Sequence, residues 1–136
     1  FLTRPLLEAG FDTEAVESDP SSSADLAANL AAWRAEGLAG RGRAVASRVE
    51  ERVSRMREAV DAVFADPPRE GLSPAVRKAL LRARPRSLFL VSCDPATFAR
   101  DLAALLPRFR VSSLVLLDLF PGTHHVETLA TLERRP

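Results

Sequence analysis

Short apolar runs alternate with segments of helical pattern along most of this chain. Leu88–Val91 and Leu114–Leu117 are continuous apolar runs of strand length, and helix-forming segments lie before and between them. Strands joined through helices run parallel, because the helix returns the chain to the edge where the first strand began. Apolar residues at successive positions predict strands that are buried on both sides. The alternation therefore predicts an α/β fold with an open, mostly parallel sheet covered on both faces.

Prolines, glycines and capping side chains predict where the elements begin and end. Gly10 follows a helical segment at the position that favours a left-handed residue, and Pro20, Pro74 and Pro95 stand at helix starts. The last two predicted strands have no helix between them, so they are expected to pair antiparallel. The predicted elements are helices over residues 1–9, 20–36, 50–58, 73–83 and 94–106, and strands over residues 12–17, 43–47, 60–65, 87–92, 111–117 and 126–132.

Length and composition limit the class of protein. The 136 residues, of which 46% are hydrophobic and 27% charged, have a globular composition and suffice for one domain, so residues 1–136 are predicted to form a single domain. No apolar run is long enough to span a bilayer, which predicts no membrane partner. The one cysteine excludes an internal disulfide framework and favours a reducing, cytoplasmic location. The net charge of +1 does not by itself indicate nucleic acid.

Side chains of functional type follow the predicted strands. The carboxyl ends of parallel strands meet at one edge of a sheet, and ligands of such folds bind beyond that edge. An antiparallel last strand begins at the same edge. The side chains expected there are Glu17, Asp66, Cys93, Asp118 and Glu127. The pattern therefore predicts one site built from distant parts of the sequence.

Three segments in the second half of the chain carry specific motifs. They read Asp-Pro-Pro-Arg-Glu-Gly-Leu at 66–72, Val-Ser-Cys-Asp-Pro-Ala-Thr-Phe-Ala-Arg-Asp-Leu at 91–102 and Phe-Pro-Gly-Thr-His-His-Val-Glu at 120–127. In this order and spacing they resemble the signature blocks of the RNA 5-methyluridine methyltransferase family, a group of class I S-adenosylmethionine-dependent methyltransferases. The resemblance is strong over residues 60–134 and is only that of a generic class I methyltransferase over residues 1–58.

The resemblance implies an enzyme that transfers a methyl group from S-adenosylmethionine to C5 of a uridine in transfer or ribosomal RNA. It assigns Cys93 as the nucleophile that bonds to C6 of uracil, which makes C5 reactive. It assigns Glu127 as the base that removes the C5 proton. Position alone would leave Cys93 open to a structural, buried role, so both assignments rest on the motifs.

The resemblance also implies binding roles. Asp66 follows a strand at a place where it would contact the bound uracil and help to hold the cofactor. Arg69 stands where methyltransferases of similar fold that act on base amino groups carry an aromatic residue, so it favours the uridine C5 group. His125 would support the base, and Glu17 would accept from the ribose hydroxyls of S-adenosylmethionine. With one cysteine and two adjacent histidines, a zinc site is not expected.

The fold implied by the resemblance is a class I methyltransferase sheet with an antiparallel last strand. Its first strand and its glycine-rich cofactor turn are expected to lie before Phe1. Two other functions stay open at this point. One is a non-catalytic RNA-binding or scaffold fragment of the same fold, and the other is a methyltransferase acting on a different pyrimidine, such as C5 of cytidine.

Overall fold

The computed structural model describes residues 2–56, 60–119, 121–123 and 126–136. The described residues form five helices and six strands in the predicted order. The helices are α1 (Thr3–Glu8), α2 (Pro20–Ala35), α3 (Val49–Ser54), α4 (Pro74–Ala83) and α5 (Pro95–Leu105), and the strands are β1 (Thr13–Glu17), β2 (Gly42–Ala46), β3 (Ala62–Ala65), β4 (Ser87–Ser92), β5 (Phe109–Leu117) and β6 (Glu127–Arg134).

The largest difference in an element boundary concerns α3. The helix ends at Ser54, whereas the sequence predicts a helix up to residue 58. Residues 57–59 lie outside the described part of the chain. Within the described ranges, none of the helices combines the length and the apolar character that a membrane span requires.

The chain divides into two compact units, residues 1–52 and residues 53–136. The first unit holds a two-stranded parallel sheet, in which β1 and β2 run in register from the pair Thr13 and Gly42 to the pair Glu17 and Ala46. A Cβ atom on Gly40 would lie 2.3 Å from the Phe11 carbonyl oxygen. Only glycine therefore lets the backbone before β2 pass so close to the backbone before β1. The prediction of a single domain stays a prediction.

The second unit holds a four-stranded sheet in the order β3-β4-β6-β5. β3 and β4 are parallel, while β6 lies between β4 and β5 and runs antiparallel to both. The prediction that the last two strands pair antiparallel is confirmed. The α/β fold with parallel strands and an antiparallel last strand is confirmed as well.

The core of the second unit lies on one face of this sheet. Alternate residues of β4 and β6 point to that face, as the twofold repeat of a strand requires. They pack against the apolar sides of α4 and α5. The buried side chains of this core include Leu88, Leu90, Ala130 and Leu132 from the strands and Val76, Leu80, Phe98 and Leu105 from the helices.

The prediction that the apolar strands are buried on both sides is wrong for this unit. On the face of the sheet opposite the core, Phe64 stacks on Phe89 with ring centroids 4.3 Å apart, and Phe64 remains 40% exposed. In β5, Leu114 and Leu116 are 59% and 66% exposed. Within the described residues β5 forms an edge of the sheet. Leu114 pairs with Ala130 of the core face, so its exposure shows that the helices covering β4 and β6 do not extend over this part of β5.

Candidate active site

The strand register of the second unit brings several predicted site residues to one edge of the sheet. Ser92 at the end of β4 pairs with Thr128, so Cys93 and Glu127 are the next residues beyond this pair on two neighbouring strands. Glu127 is itself the register partner of Leu117, the last residue of β5. Neighbouring antiparallel backbones lie about 5 Å apart. The register therefore places Cys93 and Glu127 at neighbouring positions along this edge.

Two further predicted residues follow strands at the same edge. Ala65, the last residue of β3, pairs with Leu90, so Asp66 continues the chain at the carboxyl ends of β3 and β4. Asp118 follows β5 directly. Both side chains are exposed. The expected convergence is thus found for four of the five strand-end residues, all within the second unit.

Two hydrogen bonds between Ser92 and Asp94 fix the turn that carries Cys93. The Asp94 N–H donates to Ser92 Oγ at 3.2 Å, and the Ser92 hydroxyl donates to the Asp94 carbonyl at 3.1 Å. Ser92 is buried, so these bonds are shielded from water. Cys93 itself is half-buried and carries a free thiol. The turn therefore presents the thiol from a fixed backbone at the start of α5.

Asp94 is the N-cap residue of α5. Its extended backbone precedes Pro95, and its carboxylate accepts from the Thr97 N–H at 2.8 Å. This backbone hydrogen bond lowers the pKa of Asp94, and the positive charge of Arg69 lowers it further. Aspartate is among the residues that cap helices best, because its carboxylate satisfies a backbone N–H that the helix leaves without a partner.

The motif segment after β3 is fastened to α5. Thr97 Oγ1 donates to the carbonyl of Arg69 at 2.9 Å, and Arg100 Nη2 donates to the carbonyl of Glu70 at 2.7 Å. The same helix therefore follows the cysteine and holds the backbone of the segment that contains Arg69. The Cys93 turn and the segment after β3 form one hydrogen-bonded assembly.

Arg100 stands next to Asp101 in the motif at 91–102, which predicts a structural ion pair, and Arg100 Nη2 lies 2.9 Å from Asp101 Oδ1. The further partners of Asp101 were not predicted. Asp101 is only 1% exposed, and its carboxylate accepts from the Leu72 N–H and from Arg77. A signal was present, because Asp101 shares the buried face of α5 with Phe98 and Leu105. A charged residue at a core position of an amphipathic helix indicates a paired carboxylate.

Two predicted residues remain, Glu17 and His125. Glu17 ends β1 in the first unit, where its carboxylate accepts from the Asp19 N–H at 2.7 Å. It lines a cleft of about 360 Å³ together with side chains that include Asp25 and Asn29. His125 lies outside the described residues. Among the described residues, no group of three or more histidine, cysteine, aspartate or glutamate side chains is placed to hold a metal ion.

The chemical capacity of the edge follows from these positions. A thiol at a fixed turn can act as a nucleophile, and a carboxylate one strand away can accept a proton. The half-buried Cys93 and Glu127 are open to a ligand placed beyond the sheet edge. Asp66 and Arg69 supply exposed polar groups that can bind a ligand there.

Comparisons with known proteins agree with this geometry. Residues 41–135 match the tRNA (uracil-5-)-methyltransferase family. The chain is similar in structure to the tRNA (uracil-54, C5)-methyltransferase of Pyrococcus abyssi in complex with S-adenosyl-L-homocysteine, with a TM-score of 0.78 and 32% identity over 95% of this chain and 30% of that one. An rRNA methylase of Streptococcus thermophilus shares the fold, with a TM-score of 0.62 and 12% identity over 92% of this chain and 74% of that one.

Curated relatives give the same result. An uncharacterized RNA methyltransferase of Aquifex aeolicus is 34% identical over 98% of this chain and 31% of its own length. An uncharacterized RNA methyltransferase of Listeria innocua is 45% identical over 55% of this chain and 16% of its own length. The chain thus spans a third or less of these two relatives. With the family match over residues 41–135 and a class I methyltransferase fold, the chain belongs to the tRNA (uracil-5-)-methyltransferase family.

Proposed function

We propose that this chain is part of an enzyme that transfers a methyl group from S-adenosylmethionine to C5 of a uridine in RNA. The observation that carries the proposal is the end of the β4–β6 ladder. There Ser92 pairs with Thr128, and the next residues on the two strands are Cys93 and Glu127. A nucleophile and a base on neighbouring strands are what this reaction needs from its protein. Family membership supports the same reaction.

Cys93 begins the proposed reaction. C5 of uracil is a poor nucleophile on its own. Attack of the Cys93 thiolate on C6 forms a carbon–sulfur bond and moves the electrons of the C5–C6 double bond toward C5 and the O4 carbonyl. C5 then has enolate character and can take up an electrophilic methyl group. The fixed turn between Ser92 and Asp94 supports this role, because it holds the attacking thiol in one place.

S-adenosylmethionine would supply the electrophilic methyl group when bound. The chemistry of Glu17 fits part of this cofactor. One carboxylate oxygen accepts from the Asp19 N–H, which holds the side chain at the end of β1 beside the cleft. Carboxylates at this place in nucleotide-binding α/β folds accept from ribose hydroxyls. We assign Glu17 to that contact and Asp66 to the uracil and the neighbouring part of the cofactor.

Glu127 completes the proposed reaction. After methylation, C5 carries both a hydrogen and the new methyl group. Glu127 accepts the C5 proton, the C5–C6 double bond returns, and the bond between C6 and the Cys93 sulfur breaks. The thiolate is regenerated and the product is 5-methyluridine. The target base must leave its stack to reach this edge, which costs roughly a few kcal/mol.

Arg69 is the proposed residue for base recognition. Its backbone carbonyl is held by Thr97, and its positive charge lies near enough to Asp94 to lower the pKa of that carboxyl. A guanidinium is a donor and cannot accept from a base amino group. It therefore suits the carbonyl oxygens of uracil. His125 stays a predicted substrate contact. A reducing cytoplasm would keep the nucleophilic thiol free of disulfides.

Product analysis tests this function. The full-length protein that contains this chain would be incubated with S-adenosylmethionine and with tRNA or rRNA transcripts whose uridines carry deuterium at C5. The RNA would then be digested to nucleosides and analysed by mass spectrometry. We expect 5-methyluridine that has lost its deuterium, and no product from Cys93→Ala.

Other products would contradict the proposal in identifiable ways. A methylated cytidine would indicate another pyrimidine as the substrate. A ribose-methylated uridine that retains deuterium would exclude chemistry at C5. No methylation by a protein that binds both cofactor and RNA would favour a non-catalytic, RNA-binding role.

A further inference from the structure

We propose that Asp101 is a positioning residue that fixes the segment Arg69–Leu72 against the helix that follows Cys93. The inference deepens the proposed function and rests on it. Asp101 lies in the second turn of α5 and is 1% exposed. It is too far along the helix to belong to the Cys93 turn itself. Its influence on the reaction would therefore pass through the segment that it holds.

Both carboxylate oxygens of Asp101 are used. Oδ2 accepts from the backbone N–H of Leu72 at 2.6 Å. Oδ1 accepts from Arg77 Nη1 at 2.6 Å and from Arg100 Nη2 at 2.9 Å. Hydrogen bonds to a buried carboxylate are charge-assisted, and they are roughly twice as strong as neutral ones. A carboxylate in this position therefore holds the segment more firmly than a neutral side chain could.

Arg77 and Arg100 also bind carbonyl groups of the same segment. Arg77 Nη1 also donates to the Leu72 carbonyl at 2.6 Å, and Arg100 Nη2 also donates to the Glu70 carbonyl at 2.7 Å. Asp101 forms ion pairs with both guanidinium groups and orients them. Its carboxylate thus controls contacts at Leu72 directly and contacts at Glu70 and Leu72 through its partners.

Gly71 shows how closely the segment approaches the carboxylate. Its φ is +74°, a value that favours glycine. A Cβ atom there would lie 2.4 Å from Asp101 Oδ2 and 2.6 Å from Arg100 Nη2. The Gly71 N–H donates to the Pro68 carbonyl at 2.8 Å, which closes a tight turn. The turn is therefore shaped to bring the Leu72 N–H onto the carboxylate.

The position of the segment matters because it begins with Arg69, which is assigned to substrate binding, and Asp66 lies three residues before it. Cys93 lies just before the helix that carries Asp101. The cluster thus sets the distance between the groups that bind uracil and the thiol that attacks it. A misplacement of about 1 Å can reduce a rate about a hundredfold. Asp101 should therefore affect the chemical step more than the binding of cofactor.

The main test is Asp101→Asn in the full-length protein. An amide has one acceptor and one donor end, so its NH2 group must face either the Leu72 N–H or the guanidinium groups. We expect kcat for methyl transfer to fall about a hundredfold, with KM for S-adenosylmethionine within threefold of wild type. Gly71→Ala disturbs the same contact from the segment side without changing charge, and we expect a similar split between kcat and KM. If Asp101→Asn does not fold, the kcat and KM of Gly71→Ala test the proposal in its place.

Leu105→Val is the matched control, because Leu105 is buried on the same face of α5, and its aliphatic side chain has no donor or acceptor with which to fix the segment. It should lower Tm and leave kcat at 25 °C unchanged. Equal losses of kcat in Leu105→Val and Asp101→Asn would reduce the effect to general destabilisation and overturn the proposal. Wild-type kcat in both Asp101→Asn and Gly71→Ala would overturn it as well.

Hydrogen exchange separates this inference from the proposed function. In Asp101→Asn, we expect faster exchange over residues 69–73 and unchanged exchange in β4. This measurement does not need a reaction, so it decides the structural claim even if the wild-type protein forms no 5-methyluridine. Unchanged exchange over residues 69–73 would overturn the inference whatever the activity shows.

Discussion

β4 and β5 belong to the same sheet and carry similar apolar runs, yet the core side chains of β4 are buried and the side chains of β5 are largely exposed. In β4, Leu88 and Leu90 are 0% and 1% exposed, because β4 has a strand on each side and helices over one face. In β5, Leu114 and Leu116 stay largely exposed at the edge of the sheet. An apolar run therefore predicts that a strand forms, whereas the neighbours of the strand decide how much of it is buried.

β4 and β5 also differ in the part of the chain that follows each strand. β4 leads through Cys93 into a helix whose first turn is capped by Asp94. β5 leads through Asp118 into a connection, and an exposed carboxylate follows the strand. The proposed nucleophile thus lies at the end of β4, the strand that has a neighbour on each side and helices over one face. A reaction that needs fixed groups is expected at the end of β4 and the start of its partner β6.

The largest expected effect is that of Glu127→Gln at the start of β6. Glutamine keeps the size of the side chain but cannot accept the C5 proton. We expect turnover to fall by about 10²- to 10⁴-fold, with the methylated Cys93 adduct accumulating on ordinary uridine RNA. Denaturing mass spectrometry of the protein–RNA mixture would detect the adduct.

Asp118→Asn is the matched control for this variant, because it removes a carboxylate at the end of β5 on the same edge. We expect turnover within threefold of wild type and no accumulated adduct. Accumulation in Asp118→Asn instead of Glu127→Gln would move the base to the end of β5 and contradict the contrast between the two strands.

The next effect concerns stability and compares equal truncations in the two strands. Leu90→Ala should lower the free energy of unfolding by about 2–5 kcal/mol, because it leaves a cavity in the core. Leu116→Ala should change it by no more than about 0.5 kcal/mol, since the side chain is already exposed. Urea unfolding followed by circular dichroism would measure both. Equal losses would show that another surface buries β5 in solution.

Loss of the helix cap at Asp94 should have the smallest effect, a decrease in Tm. The folded pKa of Asp94 lies below the ordinary value of 3.8, so the carboxylate stabilises the protein above pH 3.8 and loses this contribution as the pH falls through the folded pKa. Asp94→Ala should lower Tm at pH 7, whereas Asp94→Asn should keep the wild-type Tm. The difference in Tm between wild type and Asp94→Ala should shrink as the pH falls below 3.8. A difference that grows toward low pH would contradict the role of the charged cap.

Much of the fold and of the candidate site could be predicted from local patterns. Helix starts at Asp19, Ser73 and Asp94 combine a capping side chain with a following proline, and the structure shows the cap bond at each. Parallel strands share a carboxyl edge and an antiparallel last strand begins there, so the sequence also predicts that Cys93 and Glu127 lie at the same edge. Their catalytic roles stay predictions.

The remaining features depend on contacts between distant residues. Hydrophobic periodicity does not indicate which strands pair, so the place of β6 between β4 and β5 and the exposure of β5 could not be inferred. Besides the adjacent Arg100, Asp101 has two distant partners, Arg77 at 24 residues and Leu72 at 29 residues along the chain. Only the folded chain reveals that this carboxylate holds the segment after β3.

RNA that contains 5-fluorouridine tests directly whether Cys93 is the nucleophile. Fluorine at C5 cannot leave as a proton, so the Cys93 adduct should remain after methyl transfer. We expect a denaturation-stable complex whose mass equals protein plus RNA plus one methyl group, and we expect none with Cys93→Ala. If a protein that binds both S-adenosylmethionine and this RNA forms no such complex, the assignment of Cys93 as the nucleophile is wrong.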